Sequence, residues 1–244
     1  MKLGITSDLH GNLKKARKFA SYFKKANVDA IVLAGDTPSD KKQRQSLINI
    51  LKIFSKTGKT IFILPGSHEQ YVPYHSALKK FSKVTDCTKT FVAHVDHQKI
   101  VFIPGADSTA PGAGFRILRD RKQYNKFKRR VRELKAHFWG KIIPFFVNDF
   151  TKFMNKNTVI IAHIPPEFKT EKAIDAAIFG TPKKPFFLYP DHKIEFGKTT
   201  AADLMLPNHA AFPLDEAKRL MKSGYPIKIK NENVGSPWLK SAIR

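Results

Sequence analysis

Three apolar runs near the N-terminus, Leu3–Thr6, Ala30–Ala34 and Thr60–Leu64, each stop abruptly at glycine, proline or polar residues. Short apolar runs with such boundaries read as buried strands. Between the first two runs, Leu13, Ala16, Ala20 and Phe23 recur at three-four spacing, while Lys14, Lys15, Lys18 and Lys24 fall largely on the other side. That pattern is one buried face of an amphipathic helix. A second helix is predicted to carry Leu47, Leu51 and Phe54, with Ser39 and Asp40 as its caps and Gly58 as its stop. Strand, helix, strand, helix, strand predicts a parallel sheet and an α/β fold class.

Further along, a short helix is expected from about Tyr74 to Phe81, then strands Thr90–His94 and Lys99–Ile103 joined by a turn at Asp96-His97. From Arg116 to Lys141 the apolar positions Ile117, Tyr124, Phe127, Val131, Leu134 and Phe138 fit one long helix. It carries 11 Lys or Arg residues against two acids, Asp120 and Glu133, and residues 116–155 read as a basic helical insertion. Another strand, Thr158–Ala162, delivers His163. Residues 167–233 are rich in proline and read as an irregular, lid-like segment, broken by one helix after Pro213 that starts with Asp215 and Glu216 and is closed by Gly224. His94, His97, His192 and His209 lack any ligand context. The length of 244 residues suits a single domain over 1–244.

An apolar share of 42% is ordinary, but a net charge of +24 is not. It implies a surface that attracts polyanions, or a generally basic background, and carries no information on fold. A solvated face is the favoured reading of the basic helix, and a ridge for nucleic acid the second. The one cysteine, Cys87, has no partner for an internal disulfide and points to a reducing compartment. No signal-peptide pattern opens the chain, and the apolar stretch Ile142–Phe150 is short and broken by Pro144, Asn148 and Asp149. A cytoplasmic protein without membrane association is expected.

The chemistry gathers at the strand ends. Asp8 and His10 follow the first strand two positions apart, so a strand-like chain points both to one side. Gly35-Asp36 follows the second, Gly66-Ser67-His68-Glu69 the third, and Ala162-His163 ends a later one, with Pro165 and Pro166 keeping that chain extended. In open α/β sheets ligands collect at the carboxyl ends of strands. Carboxylates mixed with imidazoles suit Mn, Fe or Zn better than Ca.

Asp-x-His, Gly-Asp, Gly-Ser-His-Glu and Ala-His, in that order, resemble the successive blocks of the calcineurin-like metallophosphoesterases. The resemblance implies a layered α/β/β/α sandwich with a largely parallel first sheet. It also implies two divalent metal ions of the Mn, Fe or Zn class. Asp36 would bridge them, Asp8 and His10 would hold the first, and Ser67 and His163 would serve the second. His68 would be catalytic, stabilising the transition state or protonating the leaving oxygen, while a metal-bridging hydroxide attacks a phosphomonoester or phosphodiester. The substrate would be a phosphorylated small molecule or a nucleic acid. Two departures stand out. Ser67 replaces the family's Asn, which predicts a weaker second metal site. The family's final Gly-His-x-His block is absent, and Asn233–Ile243 resembles the segment that precedes it, so late strands of the sheet are expected to be missing. The other class of function compatible with these residues is a non-catalytic basic scaffold or nucleic-acid-binding module on the same fold.

Overall fold

The computed structural model describes residues 1–106, 114–133, 141–166, 176–184, 186–187, 194–196, 199–201, 205–206, 212–233 and 236–243. It divides into one compact unit built on Met1–Ile164 and a second on Pro165–Lys240. The positions of His192, His209, Leu134 and Phe138 lie outside the described residues, as do 167–175 of the lid-like segment.

In the first unit, β1 (Leu3–Thr6), β2 (Ala30–Ala34), β3 (Thr60–Leu64) and β4 (Val84–Asp86) form a parallel sheet in that order. The connections are α1 (Leu13–Lys25), α2 (Gln43–Ser55) and α3 (Tyr71–Leu78). Alternation along the strands divides the core. Ile31, Leu33, Ile61 and Ile63 share the helix side with Ala16, Ala20, Phe23, Leu47, Leu51 and Phe54, all buried. Val32, Phe62 and Leu64 face the other way, against Ile100, Phe102 and Ile161 of a second sheet. That sheet pairs β5 (Val92–Val95) antiparallel with β6 (Gln98–Ile103), and β6 parallel with β9 (Thr158–Ala162). Phe62 and Phe102 stack across the two sheets at 5.0 Å between ring centroids. A helix α5 (Val147–Thr151) lies outside β6, with Phe150 edge-on to Phe91 at 5.1 Å. The layered α/β/β/α arrangement and the parallel first sheet are therefore those expected.

Two local readings need correction. Ser39 and Asp40 do not cap α2. Its N-cap is Lys42 in the left-handed region at φ 56°, and the two expected caps bond elsewhere. The predicted long helix from 116 is a strand first: β7 (Phe115–Leu118) pairs parallel with β8 (Ile143–Phe146), and α4 (Arg121–Glu133) starts only after Asp120. Asp120 Oδ1 accepts the Gln123 N–H at 2.9 Å, an N-cap that marks the boundary. Ile117 therefore belongs to a buried ladder and not to the helix stripe.

In the second unit, the segment expected to be irregular contains a sheet. β10 (Ala176–Pro182) pairs antiparallel with both β15 (Phe212–Pro213) and β16 (Ile227–Asn233), beside α6 (Leu214–Lys222). Two short ladders lie between them in sequence, β11 (Phe186–Phe187) with β14 (Met205–Leu206), and β12 (Ile194–Phe196) with β13 (Thr199–Ala201). The prolines mark ends: Pro182 and Pro213 are last residues of strands, and Pro226 directly precedes one. A final helix, α7, covers Pro237–Ile243. Among the described residues, no helix is long and apolar enough to cross a membrane.

Phe102→Ala should destabilise the protein by about 3–5 kcal/mol, the range for a large aromatic removed from a closed core. Tyr22→Ala, on the exposed side of α1, should change stability by less than about 0.5 kcal/mol. Urea titrations followed by far-ultraviolet circular dichroism measure both.

Candidate metal centre

The loops after β1 and β2 continue the pairing of their strands. Asp8 N–H donates to the Gly35 carbonyl at 3.1 Å, His10 N–H to Asp36 at 2.9 Å, and Gly11 N–H to Thr37 at 3.0 Å. This zipper holds three site residues in the left-handed region, with φ of 54° at Asp8, 44° at His10 and 50° at Asp36. Such backbone is costly for residues other than glycine and is found where surrounding structure enforces it. Here it turns the three side chains to one rim.

Asp36 is the centre of the arrangement, with its side chain only 4% exposed. Its Oδ1 accepts the backbone N–H of Ser67 at 2.6 Å and of His68 at 3.0 Å, and its Oδ2 accepts the Ser67 hydroxyl at 2.8 Å. His163 Nε2 stands 3.4 Å from the same Oδ2, and His68 Nε2 3.8 Å from it. The approach is so close that a Cβ on Gly66 would collide with Asp36 Oδ1, and one on Gly35 with the His163 ring. Glycine is required at both positions for that reason.

Burial pushes the Asp36 carboxyl up, but the hydrogen bond and charge of His163, the Ser67 hydroxyl and the charge of His68 outweigh it and hold the group well below the usual carboxylate range. Burial likewise pushes His163 down, and its hydrogen bond and charge pairing with Asp36 outweigh that and raise it to about 9. In the metal-free protein the two therefore form a charged pair. His163 Nδ1 lies 2.9 Å from the Ala34 carbonyl, which can only accept, so Nδ1 carries a proton. Loss of the other proton leaves Nε2 as the free lone pair, the usual arrangement of a metal-binding imidazole with its second nitrogen tied to a carbonyl.

All the residues predicted from sequence, Asp8, His10, Asp36, Ser67, His68 and His163, come to this rim. His10 and His68 meet edge to face at 5.1 Å between ring centroids. Ligand atoms of Asp8, Asp36 and His163 lie within 4.8 Å of one another, and so do those of His10, Asp36 and His68. Asp36 belongs to both sets. Two mixed carboxylate and imidazole donor sets that share one carboxylate fit a pair of divalent transition ions. Ser67 reaches the site through Asp36, giving its proton to the carboxylate and keeping its oxygen lone pairs.

Three neighbours carry the site without having been singled out as functional in the sequence. Asp40 Oδ1 lies 2.8 Å from His68 Nδ1 and so orients that ring. Gln43 is buried and clamps the same loop, donating to the His68 carbonyl at 2.8 Å and accepting the Gln70 N–H at 2.9 Å. Glu69 is fully buried and ties two loops together, accepting Thr37 N–H at 2.9 Å and Gly66 N–H at 2.8 Å. Burial and the nearby Asp36 charge push its carboxyl up to about 7, against those two donors. The only signal for Asp40 was its place four residues after Asp36. Glu69, between His68 and Gln70, gave no sign of burial.

Because the folded pKa of His163 is raised, to about 9 from an ordinary 6.5, its pairing with Asp36 contributes fully below pH 6.5 and is lost as pH rises through about 9. Metal-free protein in a chelator should therefore show a melting temperature that declines across that window, and His163→Asn should flatten the decline. An ion held by His163 Nε2 would displace the same proton, and calorimetric titration with Mn at pH 7.5 in buffers of different ionisation enthalpy should then report proton release on binding.

A comparison with curated proteins finds no match. Among solved structures, TT1561 of Thermus thermophilus is similar at 13% identity, over 68% of this chain and 69% of that chain, with a TM-score of 0.43. A dimetal phosphatase from Danio rerio is similar at 11% identity, over 72% of each chain, with a TM-score of 0.47. The model of the calcineurin-like phosphoesterases matches residues 1–204, which contain every residue of the site just described, and the chain belongs to that family.

Proposed function

We propose that this chain hydrolyses a phosphomonoester or phosphodiester with two divalent ions held at the Asp36 rim. The observation that carries the reading is Asp36 itself, a buried carboxylate common to two three-residue donor sets. Asp8, Asp36 and His163 would hold one ion, and His10 with Asp36 the other, with Ser67 as an outer donor; this corrects the expected grouping, since Asp8 falls beside His163 and not in the set of His10, and it leaves His68, the third member of that second set, for proton transfer. The ions would supply Lewis-acid stabilisation of the phosphoryl oxygens and lower the pKa of the attacking water.

The remaining work falls to side chains of this protein. His68 carries a proton on Nδ1 toward Asp40, and its Nε2 points back to the rim. As an imidazolium it would give the Nε2 proton to the leaving oxygen, with the Asp40 carboxylate stabilising the charged ring. Gln43 and Glu69 hold the His68 loop in place, and the net charge of +24 would raise the encounter rate with anionic substrates.

Mn-dependent hydrolysis of 4-nitrophenyl phosphate and bis(4-nitrophenyl) phosphate tests the proposal. Asp36→Asn should lose both metal and turnover, and an Asp36→Asn protein as active as wild type overturns the reading. Asp40→Asn should keep its metal and slow turnover by about 10–100-fold, as expected for an orienting partner. His68→Ala should also retain metal by elemental analysis, and loss of an ion there would make His68 a ligand. Less than one tightly held transition metal per wild-type chain would leave the non-catalytic scaffold.

A further inference from the structure

The surface that begins at the site rim is unusual in what it lacks. Helices α1 and α2 follow the loops that carry Asp8, His10 and Asp36, pack side by side, and carry eight Lys or Arg residues and no Asp or Glu. On α1 the positions Lys14, Lys18, Tyr22 and Lys25 recur at spacings of four, four and three, opposite the buried Ala16, Ala20 and Phe23. All four are exposed, and Tyr22 is 65% exposed. Phe19, at the flank of the same stripe, is also exposed. Among the described residues, none of these lysines has an acidic partner within ion-pair distance.

Two features of this stripe exceed what a small phosphoester would use. Its cations extend about 16 Å from the site, given 1.5 Å of rise per residue, and successive lysines at i and i+4 are about 6 Å apart. Neighbouring lysines could share one phosphate, but the full row from Lys14 to Lys25 is too long for one, whereas a chain of phosphates would engage its whole length. The second feature is the aromatic set between the cations. A ring exposed between cations supplies a stacking platform for a base that is free of its partner strand. Basic residues alone would serve any polyanion, and the interleaved rings select one with flat apolar faces.

We propose, building on the phosphoesterase reading above, that the substrate class is single-stranded nucleic acid, whose backbone runs from the metal rim along α1 over Lys14, Lys18 and Lys25 with a base on Tyr22.

The test is fluorescence anisotropy of full-length protein with a labelled 20-nucleotide single strand and with its duplex, across a range of salt. Wild type should bind the single strand more tightly than the duplex, with affinity falling as log salt rises by about 0.7 per phosphate neutralised. Joint substitution of Lys14, Lys18 and Lys25 by Ala should lower that slope by about two and weaken binding. The same number of lysines removed at Lys79, Lys80 and Lys83, beyond the C-terminal end of α3, should not. Tyr22→Ala should weaken single-strand binding by about tenfold and leave the salt slope unchanged, which a purely electrostatic patch would not produce. Equal affinity for duplex, equal competition by inorganic polyphosphate, or an α1 variant that binds as wild type does would each overturn the inference. Wild-type turnover of bis(4-nitrophenyl) phosphate, read in parallel, reports on the phosphoesterase reading alone. Turnover with no α1-dependent binding leaves that reading standing and removes this one. Binding that follows α1 without turnover in any metal supports the surface and removes the hydrolase.

Discussion

A carboxylate excluded from water must be answered by donors, and Asp36 is answered from two directions at once. Ser67 and His68 supply backbone N–H groups and a hydroxyl from the end of β3, and His163 supplies an imidazole from the end of β9. The penalty for leaving such a group unpaired is large enough that these partners cannot drift independently. The rim is thus held together by the need to satisfy one buried charge. An ion that takes over from the His163 proton would use the same contacts.

That requirement explains the local costs the fold accepts. Asp8, His10 and Asp36 sit in left-handed backbone, and not in the strand-like chain expected for Asp8 and His10, because the loop after β1 is hydrogen-bonded to the loop after β2. A second buried carboxylate, Glu69, braces the loops from beneath and feels the first one's charge, which helps to keep its own pKa high. Placing two carboxylates so close is unfavourable in a merely structural core. It is intelligible where cations are to be held, because a bound ion relieves the repulsion between them.

The same electrostatic logic operates at longer range. The acids of the rim are gathered into a small area of a chain with net charge +24, and the two helices leading away from it contain no acids at all. An ion pair within the site is short-ranged and buried, so salt affects it little. A field from exposed lysines is screened within about 10 Å at ordinary ionic strength. Chemistry and capture therefore respond differently to solution conditions, although both begin at the same loop.

Much of this protein was legible in its sequence. The uninterrupted apolar runs of β1, β2 and β3, the three-four spacing of α1 and the Asp96-His97 turn are local patterns, and local sterics and burial are enough to produce them. The convergence of the candidate residues was legible too, because polar groups placed directly after buried strands of a parallel sheet emerge at one rim. What the tertiary structure alone decided was the choice of partners. Asp40 reads as a helix cap and bonds to His68, Glu69 closes the Gly-Ser-His-Glu block with no role of its own and is buried, and Ile117 fits a helical stripe but lies in a strand. In each case the residue's own neighbours in sequence permit either outcome. The decision comes from a hydrogen-bond donor or a strand many positions away, which no periodicity along the chain encodes.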